Sequence, residues 1–385
     1  MRLFSTLAAA ALALLPASLA RAEQGITDTS VTFAQVAALD GPASALGLGM
    51  MAGIEAAFAE ANAAGGVHGR KVRLDAFDDG YEPDRSAAHL RALVDGNAHL
   101  GIIGPVGTPT SAASQPVATA ARLPYIGPFT GAGFLRDASH GNIFNIRATY
   151  AAETEAWIAH LVDGLGLTDI AILYQDDGFG RVGLEGVTAA LEKRGMSLIG
   201  QGTYTRNTVA VKSALLELRK ADPQAVVMVG AYKPVAEFIK LSRKLKFDPV
   251  FVNISFVGSE ALASELGAAG EGVIISQVVP FPWDDSLPLV ARYQAALAAH
   301  SDAAPGFVTL EGYMVGRVAL TALEAAGRDL DREGYLAALG SLREVDLDGV
   351  SLQYGPGDNQ GMDEVFLTRI NADGGFAPLR AGEGS

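Results

Sequence analysis

Residues 49–79 read GMMAGIEAAFAEANAAGGVHGRKVRLDAFDD, and this stretch contains a helix, a turn and a strand in succession. Residues 49–64 predict an amphipathic helix, because apolar side chains recur along one face: Met50, Ile54, Ala57, Phe58 and Ala61. Gly65 and Gly66 fit the end of that helix, where the chain turns back with positive φ. Residues 72–77, with Val72, Leu74 and Phe77, then predict a strand. Repetition of such units builds a parallel sheet.

The same alternation runs through most of the chain. Short apolar runs predict strands at 31–36, 72–77, 100–103, 125–126, 170–174, 197–199, 225–229, 250–252 and 273–278. Helical patterns lie between them, at 151–164 and 235–244, and a mostly helical tract, 287–342, follows the last strand. The final segment favours an antiparallel pair, 364–370 and 376–379, around a turn at 371–375. The fold class is therefore α/β, with doubly wound parallel sheets.

Length and composition limit the possible classes of protein. The chain has 385 residues, which is enough for two globular units, and its 49% hydrophobic and 19% charged residues argue against disorder. Cysteine is absent, so the chain forms no disulfide and no thiolate metal site. The formal charge of −14 repels phosphate backbones, and we therefore expect no nucleic-acid partner.

The first 22 residues have the pattern of an export signal. Arg2 provides the positive start, an uncharged apolar run covers residues 3–15, and Ala20-Arg21-Ala22 is a small-x-small cleavage site. The alternative is a buried N-terminal helix. Cleavage would leave Glu23 first and remove two arginines and no acid, which takes the formal charge to −16. No cysteine follows the cleavage point, so we expect a periplasmic protein without a lipid anchor.

The sequence contains no recognisable catalytic centre. None of its six histidines has a partner at metal-ligand spacing, and GxSxG and Walker motifs are absent, so we expect no enzyme, metal or cofactor. Three adjacent acid pairs could serve a hydrolase or a two-metal site: Asp78-Asp79, Asp176-Asp177 and Asp284-Asp285. The alternative is that these acids cap helices or lie in solvent.

Three loops with small and hydroxyl residues connect predicted strands to helix starts. They cover residues 40–44, 104–111 and 128–131. Each offers free backbone N–H groups and hydroxyls near a helix N-terminus, an arrangement that binds carboxylates and other anionic groups. A simple helix cap is the alternative for any single loop, but three loops at one end of one sheet favour a shared ligand site.

The sequence resembles the type I periplasmic binding proteins, the leucine/isoleucine/valine-binding-protein-like components of ABC transporters. The resemblance covers nearly all of the mature chain and depends on these residues: Asp40-Gly41-Pro42, Asn62 to Val72, Asp78-Asp79, Ile103-Gly104-Pro105, Leu123-Pro124-Tyr125-Ile126 and Asp177-Gly178-Phe179-Gly180. It implies two lobes joined by a three-strand hinge, with the ligand held in the cleft when the lobes close. Lobe one would comprise 23–148 plus 280–348, and lobe two 149–279 plus 349–385.

The resemblance also implies which residues contact the ligand. The carboxylate-binding loops of the family match Gly107-Thr108 and Phe129-Thr130-Gly131, so Thr108 and Thr130 are the expected hydrogen-bond donors. The remaining expected ligand residues are Ser44, Leu46, Phe179 and Tyr232. Leu46 stands where leucine-binding members have an aromatic wall, and Phe179 where they have a tyrosine. The aromatic residues could instead belong to the core.

One departure from the family bears on the ligand. Amino-acid-binding members carry an acid that pairs with the ligand ammonium, and Val235 stands at that position here, with Glu237 nearby. An ammonium buried without its partner is costly. We therefore expect a carboxylate, such as an aromatic acid, or another polar organic molecule rather than a plain α-amino acid.

Three functions remain open at this point. The first is a monomeric binding protein that delivers its ligand to the membrane permease of an ABC importer. The second is a periplasmic sensor that passes ligand occupancy to a membrane receptor or kinase. The third is a periplasmic enzyme on the same fold, which turnover of a bound ligand would reveal.

Overall fold

A computed structural model of the chain describes residues 24–137 and 139–379, so the predicted signal peptide, residues 1–22, lies outside the described residues. The first half of the fold is built on a five-stranded sheet in which every paired strand is parallel, in the order β2-β1-β3-β4-β5. Its elements are β1 Ser30–Ala37, α1 Ser44–Ala63, β2 Lys71–Asp78, α2 Pro83–Gly96, β3 Ile102–Ile103, α3 Thr108–Ala120, β4 Tyr125–Ile126 and β5 Ile143–Phe144. A short 3₁₀ turn, Gly133–Arg136, precedes β5.

The second half is built on a seven-stranded sheet in the order β14-β13-β10-β9-β8-β6-β7. Up to the point where the chain returns to the first half, its elements are α4 Tyr150–Ile158, β6 Ile170–Gln175, α5 Gly178–Glu192, β7 Gly200–Tyr204, α6 Lys212–Ala221, β8 Ala225–Val229, α7 Tyr232–Lys244, β9 Val250–Asn253, α8 Ser259–Leu266 and β10 Ile274–Gln277. These five strands are parallel. β13 Phe366–Ile370 and β14 Phe376–Pro378 then add an antiparallel edge, as the sequence predicts.

Between β10 and β13 the chain returns to the first half. It forms α9 Pro288–His300, α10 Phe307–Ala326, α11 Arg332–Ser341 and the hairpin of β11 Glu344–Leu347 and β12 Val350–Gln353. α10 packs closely on α1: a Cβ on Gly53 would lie 2.0 Å from the Thr309 carbonyl oxygen. The chain therefore passes between the halves after β5, after β10 and after β12. The α/β prediction with two parallel-sheet units is confirmed, whereas the residue limits of the lobes stay a prediction.

Several predicted boundaries are wrong. The helix expected at 49–64 is α1, which begins at Ser44, so Ser44 lies on the helix and not in the loop before it. The helix expected at 235–244 is α7, which begins at Tyr232. The strand expected at 197–199 is β7, Gly200–Tyr204, whose glycines hide its strand character. Gly202 is required there, because a Cβ would lie 2.8 Å from the Ala214 Cβ of α6. The helix after β3 begins at Thr108 and not at residue 112, so the hydroxyl residues expected in a loop form its first turn. Among the described residues, no helix has the length and apolar character needed to cross a bilayer.

Candidate functional site

Thr108 and Thr130 meet at the carboxyl edge of the first sheet. β3 leads into Thr108, the first residue of α3, and β4 leads into Thr130. Their Oγ1 atoms are 2.7 Å apart and both side chains are buried. The Thr130 hydroxyl also accepts a hydrogen bond from the Ala132 N–H at 3.2 Å. Neighbouring parallel strands end at the same edge of a sheet, which explains why residues far apart in sequence come together here.

Glycines make this edge narrow. Gly107, which precedes α3, has a φ of 105°, and a Cβ there would lie 2.3 Å from Cε2 of Tyr81. A Cβ on Gly131 would lie 2.6 Å from both the backbone nitrogen and Cδ1 of Tyr150. Only glycine fits either position, so both glycines let aromatic rings approach the backbone next to the threonine pair.

Phe256 joins the aromatic residues of the two halves. It lies on the 3₁₀ turn Ser255–Val257 that follows β9, and it is fully buried. Its ring centroid is 4.6 Å from that of Phe179 in the second half, 5.5 Å from that of Phe129 and 5.8 Å from that of Tyr81 in the first half. Two predicted ligand residues, Phe129 and Phe179, thus contact one ring that sequence reasoning did not identify.

Two of the remaining predicted residues, Leu46 and Tyr232, form a second group around Gly258, and Ser44 lies two residues before Leu46. Ser44 begins α1 and is half-buried. The next residue, Ala45, donates its N–H to the Tyr232 hydroxyl at 3.4 Å. Gly258 has a φ of 79°, and a Cβ there would lie 2.6 Å from Cδ2 of Leu46. This group also bridges the halves, since Leu46 and Tyr232 come from different ones, and Leu46 lines a cavity of about 140 Å³.

Val235 has no acidic substitute on its own helix face. Its side chain is fully buried in the core of the second half, and a Cβ on Gly230 would lie 3.0 Å from its Cγ2. Glu237 is only half-buried. The buried carboxylates near the crossings between the halves belong instead to Glu153 of α4 and Glu311 of α10.

Arg147, Glu153 and Glu311 form what we call the crossover cluster, because Arg147 lies on the segment that links β5 to α4. Arg147 Nε is 3.5 Å from Glu311 Oε1, and Nη2 is 4.0 Å from Glu153 Oε1. The three side chains are 1%, 0% and 3% exposed. The Arg147 guanidinium also lies 4.6 Å above the Phe129 ring. A buried charge thus borders the aromatic group.

The two carboxylates of the crossover cluster differ in their hydrogen bonds. Glu153 accepts bonds from the Ser255 N–H and Oγ, both at 2.9 Å, and from Ser276 Oγ. Glu311 has the Arg147 ion pair in place of such bonds. Burial raises the pKa of Glu311 to about 7, against the opposing effect of Arg147 and with a further increase from Glu153. Burial also raises the pKa of Glu153.

Arg147 retains hydrogen-bonding capacity. Its Nη2 donates to Ser255 Oγ, but Nε and Nη1 are buried without a hydrogen-bond partner among the described residues. Buried guanidinium donors are normally satisfied, because leaving one unpaired costs free energy. These donors lie beside the Phe129 ring, so they could serve a polar group held near Thr130.

A second arginine bridges the halves through what we call the rim cluster: Arg206, Glu82 and Asp177. Arg206 donates from Nη2 to Glu82 Oε2 at 2.9 Å and from Nη1 to Asp177 Oδ2 at 3.0 Å. Asn207 adds hydrogen bonds to Glu82 at 2.7 Å and to the Gly80 carbonyl at 3.0 Å. The side chains of Arg206, Glu82 and Asp177 are 21%, 43% and 14% exposed.

Asp78, Asp79 and Asp177, from two of the three acid pairs, act as backbone acceptors here. Asp78 Oδ1 accepts from the N–H groups of Leu39, Asp40 and Gly80, and Asp177 caps α5 at the N–H of Phe179. Asp79 Oδ1 accepts from the Tyr81 N–H, and burial raises the pKa of this carboxyl to about 6. Within residues 24–137 and 139–379, no group of three potential ligands is placed to hold a metal ion.

Three residues of this region escaped the sequence reasoning: Tyr81, Arg147 and Phe256. Tyr81 directly follows the Asp78-Asp79-Gly80 turn, so its position beyond a strand was an available signal. Arg147 and Phe256 carry no comparable local signal, because their partners lie in other elements and in the other half.

Comparison with known proteins gives a consistent result. The family model described as periplasmic binding protein matches residues 30–375. A solved structure of a possible leucine/isoleucine/valine-binding protein from Rhodopirellula baltica is 37% identical, with a TM-score of 0.88, over 92% of this chain and 98% of that chain. Leu/Ile/Val-binding protein BraC3 of Rhizobium johnstonii is 26% identical over 86% of this chain and 89% of that protein.

The match to some curated relatives is shorter. Leu/Ile/Val-binding protein homolog 7 of Brucella melitensis is 25% identical over 243 residues, which is 61% of this chain. The chain spans about 60% of the length of that relative.

Proposed function

The chain belongs to the periplasmic binding protein family, and from that premise we propose that it captures a small polar organic solute for the membrane permease of an ABC importer. The family consists of binding proteins and not of enzymes, in agreement with the sequence prediction. Closure of the two halves around the solute would create the form that the permease recognises.

The observation that carries this proposal is the threonine pair at the junction of the two halves. Thr108 and Thr130 present two buried hydroxyls 2.7 Å apart at the start of α3, where the N-terminal N–H groups favour negative charge. A carboxylate placed there would replace the bond between the two hydroxyls and accept one hydrogen bond from each. Tyr81, which contacts Gly107 beside Thr108, supplies apolar surface together with Phe129 and Phe179. We therefore propose a solute with a carboxylate and a small apolar body, which includes amino-acid-like compounds.

The proposal is tested by a thermal-shift screen of the wild-type protein against amino acids, short carboxylates and aromatic acids. A compound that binds only the folded protein raises its melting temperature. Thr108→Val and Thr130→Val should each weaken binding of a hit by about 1–3 kcal/mol, because a buried solute oxygen loses its donor. Titration calorimetry measures this change.

Thr321→Val is the matched control. Thr321 is a half-buried threonine whose hydroxyl donates to the Arg317 carbonyl within α10, at 3.0 Å. Its replacement should leave solute affinity unchanged. Equal affinities for all three variants would remove Thr108 and Thr130 from the site.

Delivery to a permease is tested separately. Uptake of the bound compound by vesicles that contain the ABC permease should require this protein. Retained binding without uptake would favour a sensor. We further propose that residues 1–22 are removed on export, so the N-terminal residue of the periplasmic protein, determined by mass spectrometry, should be Glu23.

A further inference from the structure

The ring of Phe256 lies among aromatic side chains of both halves, and one of them, Tyr81, contacts Gly107 beside Thr108. It packs against Tyr81 and Phe129 on one side and Phe179 on the other, at centroid distances of 4.6–5.8 Å. These distances lie within the range of favourable aromatic packing. All four rings are at most 1% exposed. The chain itself therefore fills the phenyl-sized volume beside the proposed carboxylate site.

The backbone holds this ring in place from both sides. Ser255, the residue before it, donates its N–H and its hydroxyl to Glu153, each at 2.9 Å. The N–H of Val257, the residue after it, donates to the Ile254 carbonyl at 2.9 Å. Gly258 then closes the turn against Leu46. A turn anchored to a buried carboxylate cannot shift readily, so the ring behaves as a wall rather than as a mobile side chain.

We propose that Phe256 is a specificity-determining residue, which restricts the site to compact carboxylates by filling the volume that an aromatic solute would need. This inference rests on the proposed function, because it concerns the same site. Tyr81 lies against Gly107, the residue before Thr108, and its ring centroid is 5.8 Å from that of Phe256, so the volume held by the Phe256 ring is one ring away from the backbone of the hydroxyl pair. Removal of the ring should therefore convert the site into one that accepts a phenyl group carrying a carboxylate.

The experiment compares benzoate binding by wild-type protein and Phe256→Ala. Apolar cavities of about 150 Å³ in protein cores stay dry and bind benzene, so the vacated volume should bind a phenyl ring. We expect benzoate to bind Phe256→Ala at least tenfold more tightly than the wild type, while propionate gains less than threefold. Titration calorimetry gives both affinities, and circular dichroism verifies folding. Phe256→Leu, which keeps an apolar side chain, should show a smaller gain of at least threefold if the alanine variant fails to fold.

Two further variants connect the cavity to the hydroxyl pair. Phe251→Ala is the matched control, because Phe251 is 2% exposed and packs edge-on against Phe238 at 6.4 Å in the core of the second half. It should gain no benzoate affinity. Adding Thr130→Val to Phe256→Ala should lower the affinity for benzoate at least fivefold relative to Phe256→Ala alone.

The inference is overturned if benzoate binds Phe256→Ala no better than the wild type. An equal gain in Phe251→Ala, or a gain that Thr130→Val leaves intact, would also overturn it. Failure of the proposed solute class looks different, because no carboxylate would then raise the melting temperature of the wild-type protein in the screen, whatever the variants bind.

Discussion

The crossover cluster and the rim cluster are built from the same parts in opposite surroundings. Each places one arginine between two carboxylates, and each draws residues from both halves. In the crossover cluster the side chains are at most 3% exposed, and the ion-pair distances are 3.5 and 4.0 Å. In the rim cluster the distances are 2.9 and 3.0 Å, and every side chain reaches solvent.

Burial, rather than distance, decides what each cluster can contribute. Water screens the rim cluster, so its short contacts stabilise the protein little. The crossover cluster lacks that screening, and removal of one member leaves an opposite charge buried without compensation. The crossover cluster, despite its longer contacts, should therefore contribute more to the free energy of unfolding. The rim cluster should mainly affect the balance between the open and closed forms.

The largest expected effect follows from Arg147→Met. This change leaves Glu153 and Glu311 buried without their positive partner, and it should lower the free energy of unfolding by about 3–5 kcal/mol. Urea denaturation at pH 7 measures the loss.

The control for that change is Arg122→Met, in which the arginine pairs with Glu333 and both side chains are more than 60% exposed. Its effect on the free energy of unfolding should be far smaller than that of Arg147→Met, because water screens an exposed pair. Similar losses in the two variants would contradict the distinction between buried and exposed clusters.

The next effect concerns the pH dependence of the crossover cluster. The pKa of Glu311 is raised from 4.5 to about 7 in the folded protein, so the folded state binds more protons than the unfolded state between these values. Stability therefore falls as pH rises through this window, by about 2–3 kcal/mol. Glu311→Gln cannot titrate and should lack this component.

The measurement is the free energy of unfolding of both proteins at pH 5 and pH 7. Asp79 is shared by both proteins, so its own titration cancels in the difference. The wild-type protein should lose stability relative to Glu311→Gln as pH increases. A constant difference would mean that Glu311 keeps an ordinary pKa.

Local features of the fold could be predicted from the sequence, whereas contacts between distant elements could not. The resemblance to leucine/isoleucine/valine-binding-protein-like proteins is confirmed by the family match. The α/β alternation and the antiparallel end were predictable, because strand and helix periodicity is local. The proximity of Thr108 and Thr130 was also accessible, since both follow adjacent parallel strands. Their role in ligand binding stays a prediction.

The clusters that bridge the halves were not accessible in this way. Arg147 finds its partners on α4 and α10, and Phe256 meets rings from three other elements. Such contacts depend on how the two halves meet, which periodicity does not encode. Local patterns can also mislead. The apolar pair within Ser197–Ile199 predicted a strand there, but the strand begins only at Gly200.

The smallest expected effect on stability comes from Arg206→Ala at the rim. The variant loses the bonds to Glu82 and Asp177, and its free energy of unfolding should fall by less than about 1 kcal/mol. The lost contacts cross between the halves, so closure should suffer more than folding. We expect solute affinity to fall two- to fivefold, on the order of 0.4–1 kcal/mol, and the radius of gyration from solution scattering to increase. High salt should lower solute affinity and increase the radius of gyration of the wild-type protein as well, because it screens the same ion pairs.

Lys220→Ala is the control, because Lys220 pairs with Glu217 within α6 and its loss cannot open the cleft. Unchanged scattering in Arg206→Ala would show that the rim contacts follow closure and do not favour it.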